Sequence, residues 1–172
     1  MVNRLTKIYT RTGDDGTTAI ANNQRVNKIS PLIEAIGTID EANSAIGMAP
    51  HNEIIDIIQN DLFDLGASLA GSKNINITED RIKWLEQTID EYNKNLEPLS
   101  SFVLPTGVIH NARTIVRRAE RWVWMAIEIH EFNDDMKISR LIPQYLNRLS
   151  DLLFVMARYY NKGNEKLWGI NE

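Results

Sequence analysis

Apolar residues recur at helical spacing over most of the chain after residue 30, and the longest such pattern lies beyond its middle. There, between Ile109 and Ala126, they are separated by three and four residues in alternation. This is the spacing of one face of a long helix packed in a bundle. The positions are Ile109, Ala112, Val116, Ala119, Val123 and Ala126. The pattern predicts a helix that follows the loop 96–105 and ends near Phe132.

Four more helices are predicted from similar patterns. The first runs from Pro31 to about Ala49, because Ser30 is a good N-cap and proline suits the first helical position. The second covers residues 52–70, the third starts at Thr78 and fades by residue 95, and the last covers 138–161. The core face of the last helix is Ile142, Leu146, Leu149, Leu153 and Met156. Five amphipathic helices with short connections predict an all-α five-helix bundle.

The first thirty residues have a different pattern. β-prone residues 7–10 and 17–20 flank residues 11–16, whose two glycines and two aspartates predict a tight turn. We therefore expect a short N-terminal β-hairpin, followed by a polar loop over 22–28. The chain is expected to form one domain, 1–172, with a hairpin-and-loop head to residue 29, a bundle over 30–161 and a loose tail over 162–172.

Composition narrows the function classes. Hydrophobic residues make up 43 % of the 172 residues, which predicts a globular protein, and the net charge of −4 argues against general nucleic-acid binding. The absence of cysteine excludes disulfides, thiolate metal sites and a cysteine nucleophile. No apolar run is long enough for a membrane span, and the N-terminus lacks a signal-peptide pattern, so a cytoplasmic location is expected.

Histidine positions argue against a diiron centre. Such a bundle needs glutamate three residues before a histidine on two helices. None of His51, His110 and His130 has one, so all three are expected to be surface or packed residues.

Four arginines fall within nine residues of the predicted fourth helix: Arg113, Arg117, Arg118 and Arg121. Arg113 and Arg117 share a polar stripe with Glu120 and Trp124, and the guanidinium groups outnumber the local carboxylates. Guanidinium forks suit phosphate oxygens, so this helix predicts an anion site. The alternative is a solvated face that pairs with acidic residues of neighbouring helices.

The head has the composition of a phosphate-binding turn. Residues 10–18 contain hydroxyl groups, one arginine and two glycines, and successive N–H groups in such a turn can surround phosphate oxygens. Asp14 and Asp15 would repel a bare polyphosphate unless one acts through Mg²⁺. An ordinary hairpin turn is the alternative. On the last helix, Asn147 and Asp151 are four residues apart on the side opposite the apolar face, where they either contact a ligand or bridge to another helix.

Together these stretches resemble the PduO-type ATP:cob(I)alamin adenosyltransferases. Residues 7–18, 116–121 and 146–151 match three family motifs in order, and residues 37–44 resemble the first-helix signature. The similarity covers nearly the whole chain. It implies a five-helix bundle, a homotrimer with active sites between subunits, and transfer of the 5′-deoxyadenosyl group of ATP to Co(I) of cobalamin with release of triphosphate.

The resemblance also implies roles for individual residues. Asp40 and Arg113 match a pair that bridges adjacent subunits, Phe102 matches an aromatic residue at the lower face of the corrin, and Mg²⁺ enters with the ATP phosphates. Residues 105–113 are shorter than the family's segment, which affects the corrin side of the pocket. The ATP-binding residues would be Thr10, Arg11, Thr12, Gly13, Asp14, Gly16, Thr18, Lys28, Arg117, Arg118, Glu120, Arg121 and Asn147.

Two other functions remain open at this point. The first is a catalytically inactive ATP-binding sensor or cobalamin-delivery protein, and the second is a helical interaction bundle without a ligand. The hypothesis of an adenosyltransferase explains why no Ser/His/Asp arrangement is evident, since Co(I) is itself the nucleophile and no base is needed. A reductase is a further expected partner, because the cobalt must first be reduced.

Overall fold

The computed structural model describes residues 8–21, 24–72, 77–133, 137–162 and 164–169, with backbone alone for 131–133. Within these residues the helices are α1 (Pro31–Ile46), α2 (Glu53–Leu69), α3 (Glu79–Asn93), α4 (Gly107–Asn133) and α5 (Leu141–Asn161). Two short strands, β1 (Thr17–Ala19) and β2 (Arg25–Asn27), precede them and pair antiparallel. The predicted all-α five-helix bundle with an N-terminal hairpin is confirmed.

Helices α1 and α2 begin at residues whose side chains cap them, whereas Thr78, at the N-cap of α3, makes no side-chain capping hydrogen bond. The Ser30 side chain accepts a hydrogen bond from the backbone N–H of Ile33 at 3.4 Å, and the Asn52 side chain accepts one from Ile55 at 3.0 Å. Two predicted ends are wrong by three residues, because α1 ends at Ile46 and α5 begins at Leu141. Glycine at 47 and proline at 50 disfavour further helix, and Ile138 is buried although it precedes α5.

Helix α4 lies at the centre of the bundle and packs against both α1 and α5, while α3 packs on α5 and α2 on α1. All six apolar positions predicted for its core face are buried, as are the five predicted for α5. None of the described helices is long and apolar enough to cross a bilayer.

A buried polar network joins α2, α3 and α5. The Asp61 carboxylate, only 6 % exposed, accepts a hydrogen bond from Arg81 Nε at 2.8 Å and another from the Tyr145 hydroxyl at 2.7 Å. Burial and the Asp61 charge raise the pKa of Tyr145 well above its ordinary value, so the phenol stays protonated and donates. The network satisfies polar groups that would be costly to bury alone.

The predicted pairing of the hairpin is wrong. Residues 17–19 pair with residues 25–27, with Thr18 opposite Val26, whereas residues 8–10 form no strand and residue 7 lies outside the described part of the chain. Residues 25–27 looked like loop because a single apolar residue, Val26, stands among polar ones. It packs against the core, and this contact favours the observed register.

The prediction of a loose tail is also wrong for residues 164–168. Val103 and Leu167 form an antiparallel bridge, and Leu104 donates a backbone hydrogen bond to the Lys166 carbonyl at 2.8 Å. Residues 163 and 170–172 lie outside the described part of the chain. Two partners distant in sequence make this contact, so local pattern in the tail does not reveal it.

The histidines are surface or packed, as expected. His51 is exposed and lies 3.1 Å from an Asp56 oxygen, His130 is half-buried, and His110 is 5 % exposed with its ring against Phe154. Burial, helped by the nearby Arg113 charge, lowers the pKa of His110, while the Glu165 charge opposes this shift. Folding therefore favours the neutral form of His110.

We predict a pH-dependent stability contribution from His110. Its pKa is lower folded than unfolded, so the unfolded chain takes up the proton more readily. This contribution is complete above the ordinary value of 6.5 and is lost as the pH falls through the lowered folded pKa. In thermal unfolding from about pH 7 to about pH 5, wild type should lose more stability than His110→Gln, which cannot titrate here. Equal losses in both proteins would contradict the prediction.

Candidate functional site

The head loop, residues 10–16, is held in a compact turn by the two strands. Arg11 and Gly16 have positive φ angles of 61° and 84°, a conformation that glycine adopts without strain. The Gly16 N–H donates to the Gly13 carbonyl at 3.3 Å, and the Gly16 carbonyl accepts from the Lys28 N–H at 2.9 Å. The loop therefore exposes Thr10, Arg11 and Thr12 on a defined backbone.

Arg25 and Asp15 stabilise this loop, and sequence reasoning missed the role of Arg25. The Asp15 carboxylate accepts hydrogen bonds from the Thr17 hydroxyl at 2.7 Å and the Thr17 N–H at 3.0 Å, which lower the pKa of Asp15. The Arg25 guanidinium donates to the Thr17 hydroxyl, to the Thr12 carbonyl and to Asp15. Asp14, by contrast, makes no hydrogen bond or ion pair to another described residue.

Lys28 lies against the same loop. A Cβ atom added to Gly13 would come within 3.1 Å of Lys28 Nζ and 3.0 Å of the Thr17 carbonyl oxygen. Glycine at position 13 is what allows the lysine to approach the turn this closely. Two predicted phosphate-binding features, the glycine-containing loop and Lys28, are thus brought together within the head.

The arginines of α4 divide into paired and unpaired groups. Arg118 forms an ion pair with Glu41 of α1, so for this residue the alternative of pairing with a neighbouring helix is the one observed. Arg117 and Arg121 are exposed and have no acidic partner among the described residues. Arg113 is half-buried, and its Nε has no hydrogen-bond partner in the described part of the structure. Burial, together with the positive charge of Arg117, lowers the pKa of Arg113.

The remaining predicted residues lie on neighbouring helices. Asp40 on α1 is exposed and forms no ion pair with Arg113 within the chain's described residues. Glu120 is half-buried beside the arginines, and Asn147 is exposed on α5. Next to Asn147, Arg148 contacts Glu86 of α3 at 2.8 Å and, more weakly, Asp151 at 4.0 Å. Arg148 is thus the residue that bridges α5 to α3. The Asn147 side chain has no hydrogen-bond partner among the described residues and is accessible to a ligand.

Phe102 stands on the loop before α4 with 79 % of its surface exposed. Its carbonyl accepts a backbone hydrogen bond from Trp168 at 2.7 Å, and the Ser101 hydroxyl donates to the Trp168 carbonyl at 2.7 Å. The exposed phenylalanine is therefore positioned by backbone hydrogen bonds to the tail and not by burial of its own ring.

One chain does not join these groups into a closed site. The head is attached to the end of α2, where the Ala21 N–H donates to the Ala70 carbonyl at 2.8 Å. Among the described residues, no hydrogen bond or ion pair links the head to the arginines of α4 or to Phe102. The same residues contain no group of three histidine, aspartate or glutamate side chains able to hold a metal ion. The head loop and α4 of one chain therefore present two separate surfaces that carry cationic side chains.

Comparison with known proteins gives a consistent result. The family model described as cobalamin adenosyltransferase matches residues 8–160. The chain is 44 % identical to a corrinoid adenosyltransferase of Mycobacterium leprae over 98 % of both chains, and 36 % identical to one of Bos taurus over 98 % of this chain and 78 % of that protein. A solved PduO-type ATP:corrinoid adenosyltransferase variant from Lactobacillus reuteri, complexed with cobalamin and ATP, superimposes with a TM-score of 0.82 at 33 % identity, covering 95 % of this chain and 100 % of that one.

Proposed function

The chain belongs to the cobalamin adenosyltransferase family, and we infer that it transfers the 5′-deoxyadenosyl group of ATP to the cobalt of reduced cobalamin, releasing triphosphate. The observation that carries this inference is similarity along the whole chain. Relatives named corrinoid adenosyltransferases align over 98 % of it, and the structural relative contains both cobalamin and ATP. The fold is shared as well as the motifs.

The chemistry suits a protein without a catalytic base. Co(I) attacks C5′ of ATP, the C5′–O bond breaks, and its electron pair leaves with the triphosphate. No proton leaves the nucleophile, so the protein's tasks are to orient two substrates and to stabilise negative charge on the leaving group. Fixed cationic side chains stabilise the negative charge on the leaving triphosphate.

We propose that the head loop and Lys28 bind the triphosphate. The turn backbone, the hydroxyls of Thr10 and Thr12 and the Lys28 ammonium lie together there, and this combination suits phosphate binding. Gly13, Gly16 and Thr18 would shape or line this loop. Arg11 would add a second cation from its exposed position.

The loop also fits a magnesium ion that arrives with ATP. Mg²⁺ commonly binds one or two carboxylates together with substrate phosphates and water, and it does not need a cage of protein ligands. Asp14 of the loop has no hydrogen-bond or ion-pair partner among the described residues, whereas Asp15 is occupied by Thr17 and Arg25. When bound, the ion would neutralise charge between phosphate groups, with Asp14 as its protein ligand.

We propose that Arg117 and Arg121 complete the phosphate site from α4. Both are exposed without an acidic partner among the described residues, so an anion can approach without displacing a carboxylate. Arg118 is held by Glu41 and would orient this face, with Glu120 and Asn147 contacting the nucleoside part.

The separation of head and arginines within one chain supports a site between subunits. If the head of one copy covers α4 of the next, the half-buried Arg113 of one copy and the exposed Asp40 of another can meet across the same contact. We therefore propose a homotrimer with active sites at its interfaces and Phe102 at the lower corrin face. A reductase that supplies Co(I), and a cytoplasmic location, remain predictions.

The reaction is tested by mixing the protein with ATP and chemically reduced cobalamin and following the corrin absorbance. Conversion to adenosylcobalamin, with triphosphate as co-product, supports the enzyme. ATP binding without conversion would support the sensor or delivery protein instead. Absence of both would leave a helical interaction bundle and overturn the proposal.

A further inference from the structure

The segment that carries Phe102 is paired with the end of the chain. Its partner, here called the tail segment, is residues 164–168. Val103 lies opposite Leu167, so Phe102 lies opposite Trp168 in the same antiparallel register. Three hydrogen bonds join the two segments: Leu104 N–H to the Lys166 carbonyl, Trp168 N–H to the Phe102 carbonyl, and the Ser101 hydroxyl to the Trp168 carbonyl.

The tail segment is itself attached to the bundle by a buried ion pair. Arg158 of α5 donates through Nε to a Glu165 oxygen at 2.7 Å, and the two side chains are only 8 % and 6 % exposed. The same guanidinium donates to the Glu97 carbonyl at 2.7 Å, at the start of the loop that carries Phe102. Arg158 therefore contacts both segments that meet at Phe102.

This arrangement explains how an exposed aromatic ring is given a fixed position. Phe102 has little packing of its own, so its place depends on the two segments joined around it. An exposed ion pair would contribute little, whereas breaking a buried one leaves an uncompensated charge and shifts the groups around it. Arg158 and Glu165 form a buried ion pair, so breaking it should disturb the groups around it.

We propose that Arg158 and Glu165 are positioning residues for the corrinoid substrate: their ion pair holds the tail segment and so places Phe102 against the corrin. The proposal rests on the proposed role of Phe102. It predicts an effect specific to the corrinoid, because neither residue contacts the head loop or the arginines of α4 in the described structure.

The test compares Glu165→Ala with wild type in separate titrations of ATP and cobalamin. We expect kcat/KM for cobalamin to fall about tenfold or more, since small displacements of a positioning group carry costs of this size, while KM for ATP stays unchanged. The absorbance of bound Co(II) cobalamin in the presence of ATP should also show more of the form with a lower axial ligand. Glu165→Gln, which keeps a hydrogen-bond acceptor for Arg158, should recover part of the loss.

Glu86→Ala is the matched control, because Glu86 of α3 forms an exposed ion pair with Arg148 of α5 at 2.8 Å, close to the 2.7 Å of the buried pair. It should leave both substrates' parameters near wild type. If Glu165→Ala does not fold, Ser101→Ala tests whether the tail segment positions Phe102. This substitution removes only the exposed hydrogen bond from Ser101 to the tail segment. Ser101→Ala should change the cobalamin parameters in the same direction, by a smaller factor.

The outcomes separate this inference from the proposed function. An inactive wild-type protein would overturn the function, and unchanged turnover of Co(II) cobalamin with a reductant in Phe102→Ala would remove the premise. If the wild type is active and Phe102→Ala is impaired, normal cobalamin parameters in Glu165→Ala would overturn the positioning role alone. Equal changes in the ATP and cobalamin parameters would assign Glu165 a purely structural role and also overturn it.

Discussion

Arg117→Ala should lower the rate of adenosyl transfer about a hundredfold, or about 3 kcal/mol of barrier, the usual cost of losing one fixed donor to developing negative charge. Arg117 is exposed on α4 and no carboxylate of the described residues competes for it. Its charge is therefore available to the departing triphosphate. Single-turnover measurements with Co(I) cobalamin and saturating ATP would give the rate directly, and ATP titration would give the affinity.

Two further variants define what Arg117 contributes. Arg117→Lys keeps the charge but loses the planar fork, so it should recover only part of the rate. Lys83→Ala removes a positive charge from α3, where Lys83 pairs with Asp80, and should leave the rate unchanged. A wild-type rate and ATP affinity in Arg117→Ala would exclude the phosphate role.

Phe102→Ala should retain ATP binding and lose at least about tenfold in turnover, equivalent to about 1.4 kcal/mol of barrier. A ligand below the cobalt stabilises Co(II) against reduction, and a bulky apolar ring can keep that face dry and free of ligand. Phe102 is the exposed aromatic residue on the loop before α4. The measurement is the rate of adenosylcobalamin formation from Co(II) cobalamin with a reductant, beside the absorbance of the bound Co(II) form.

The loss should be smaller where the Co(II) step is bypassed. When the same variant is supplied with Co(I) generated chemically, its deficit should shrink, because the ring is proposed to assist reduction and not alkyl transfer. Leu99→Ala truncates another apolar side chain of the same loop and should behave as wild type. Equal deficits with both cobalt states would show that Phe102 acts on binding geometry alone.

The sequence predicted the bundle well because the signals for helices lie among neighbouring residues. Helix propensity, the Ser30 cap, and apolar spacing on α4 and α5 all act within a few residues, and each was found where expected. The pairing of the hairpin could not be predicted in the same way. Val26 alone is apolar in its strand, and its contact with the core, together with the Arg25 hydrogen bond to Thr17, favours that partner over residues 8–10.

For the candidate site, too, the sequence predicted the local features and the structure was needed for contacts between distant residues. Residue types in the head and on α4 indicated phosphate binding, and the structure adds the approach of Lys28 to Gly13 and the role of Arg25. Charge counting along α4 did not separate Arg118, which pairs with Glu41, from Arg117 and Arg121. That distinction depends on which acid the neighbouring helix presents.

By itself, then, the sequence determined the fold class, the family motifs and the excess of cations on α4, because composition and helical periodicity are properties of neighbouring residues. Only the tertiary structure decided that the tail segment pairs with the Phe102 loop and that Arg158 and Glu165 form a buried ion pair. The two backbone segments are more than sixty residues apart, and they meet because α4 and α5 pack side by side and return the chain to the start of α4. No local pattern contains that contact.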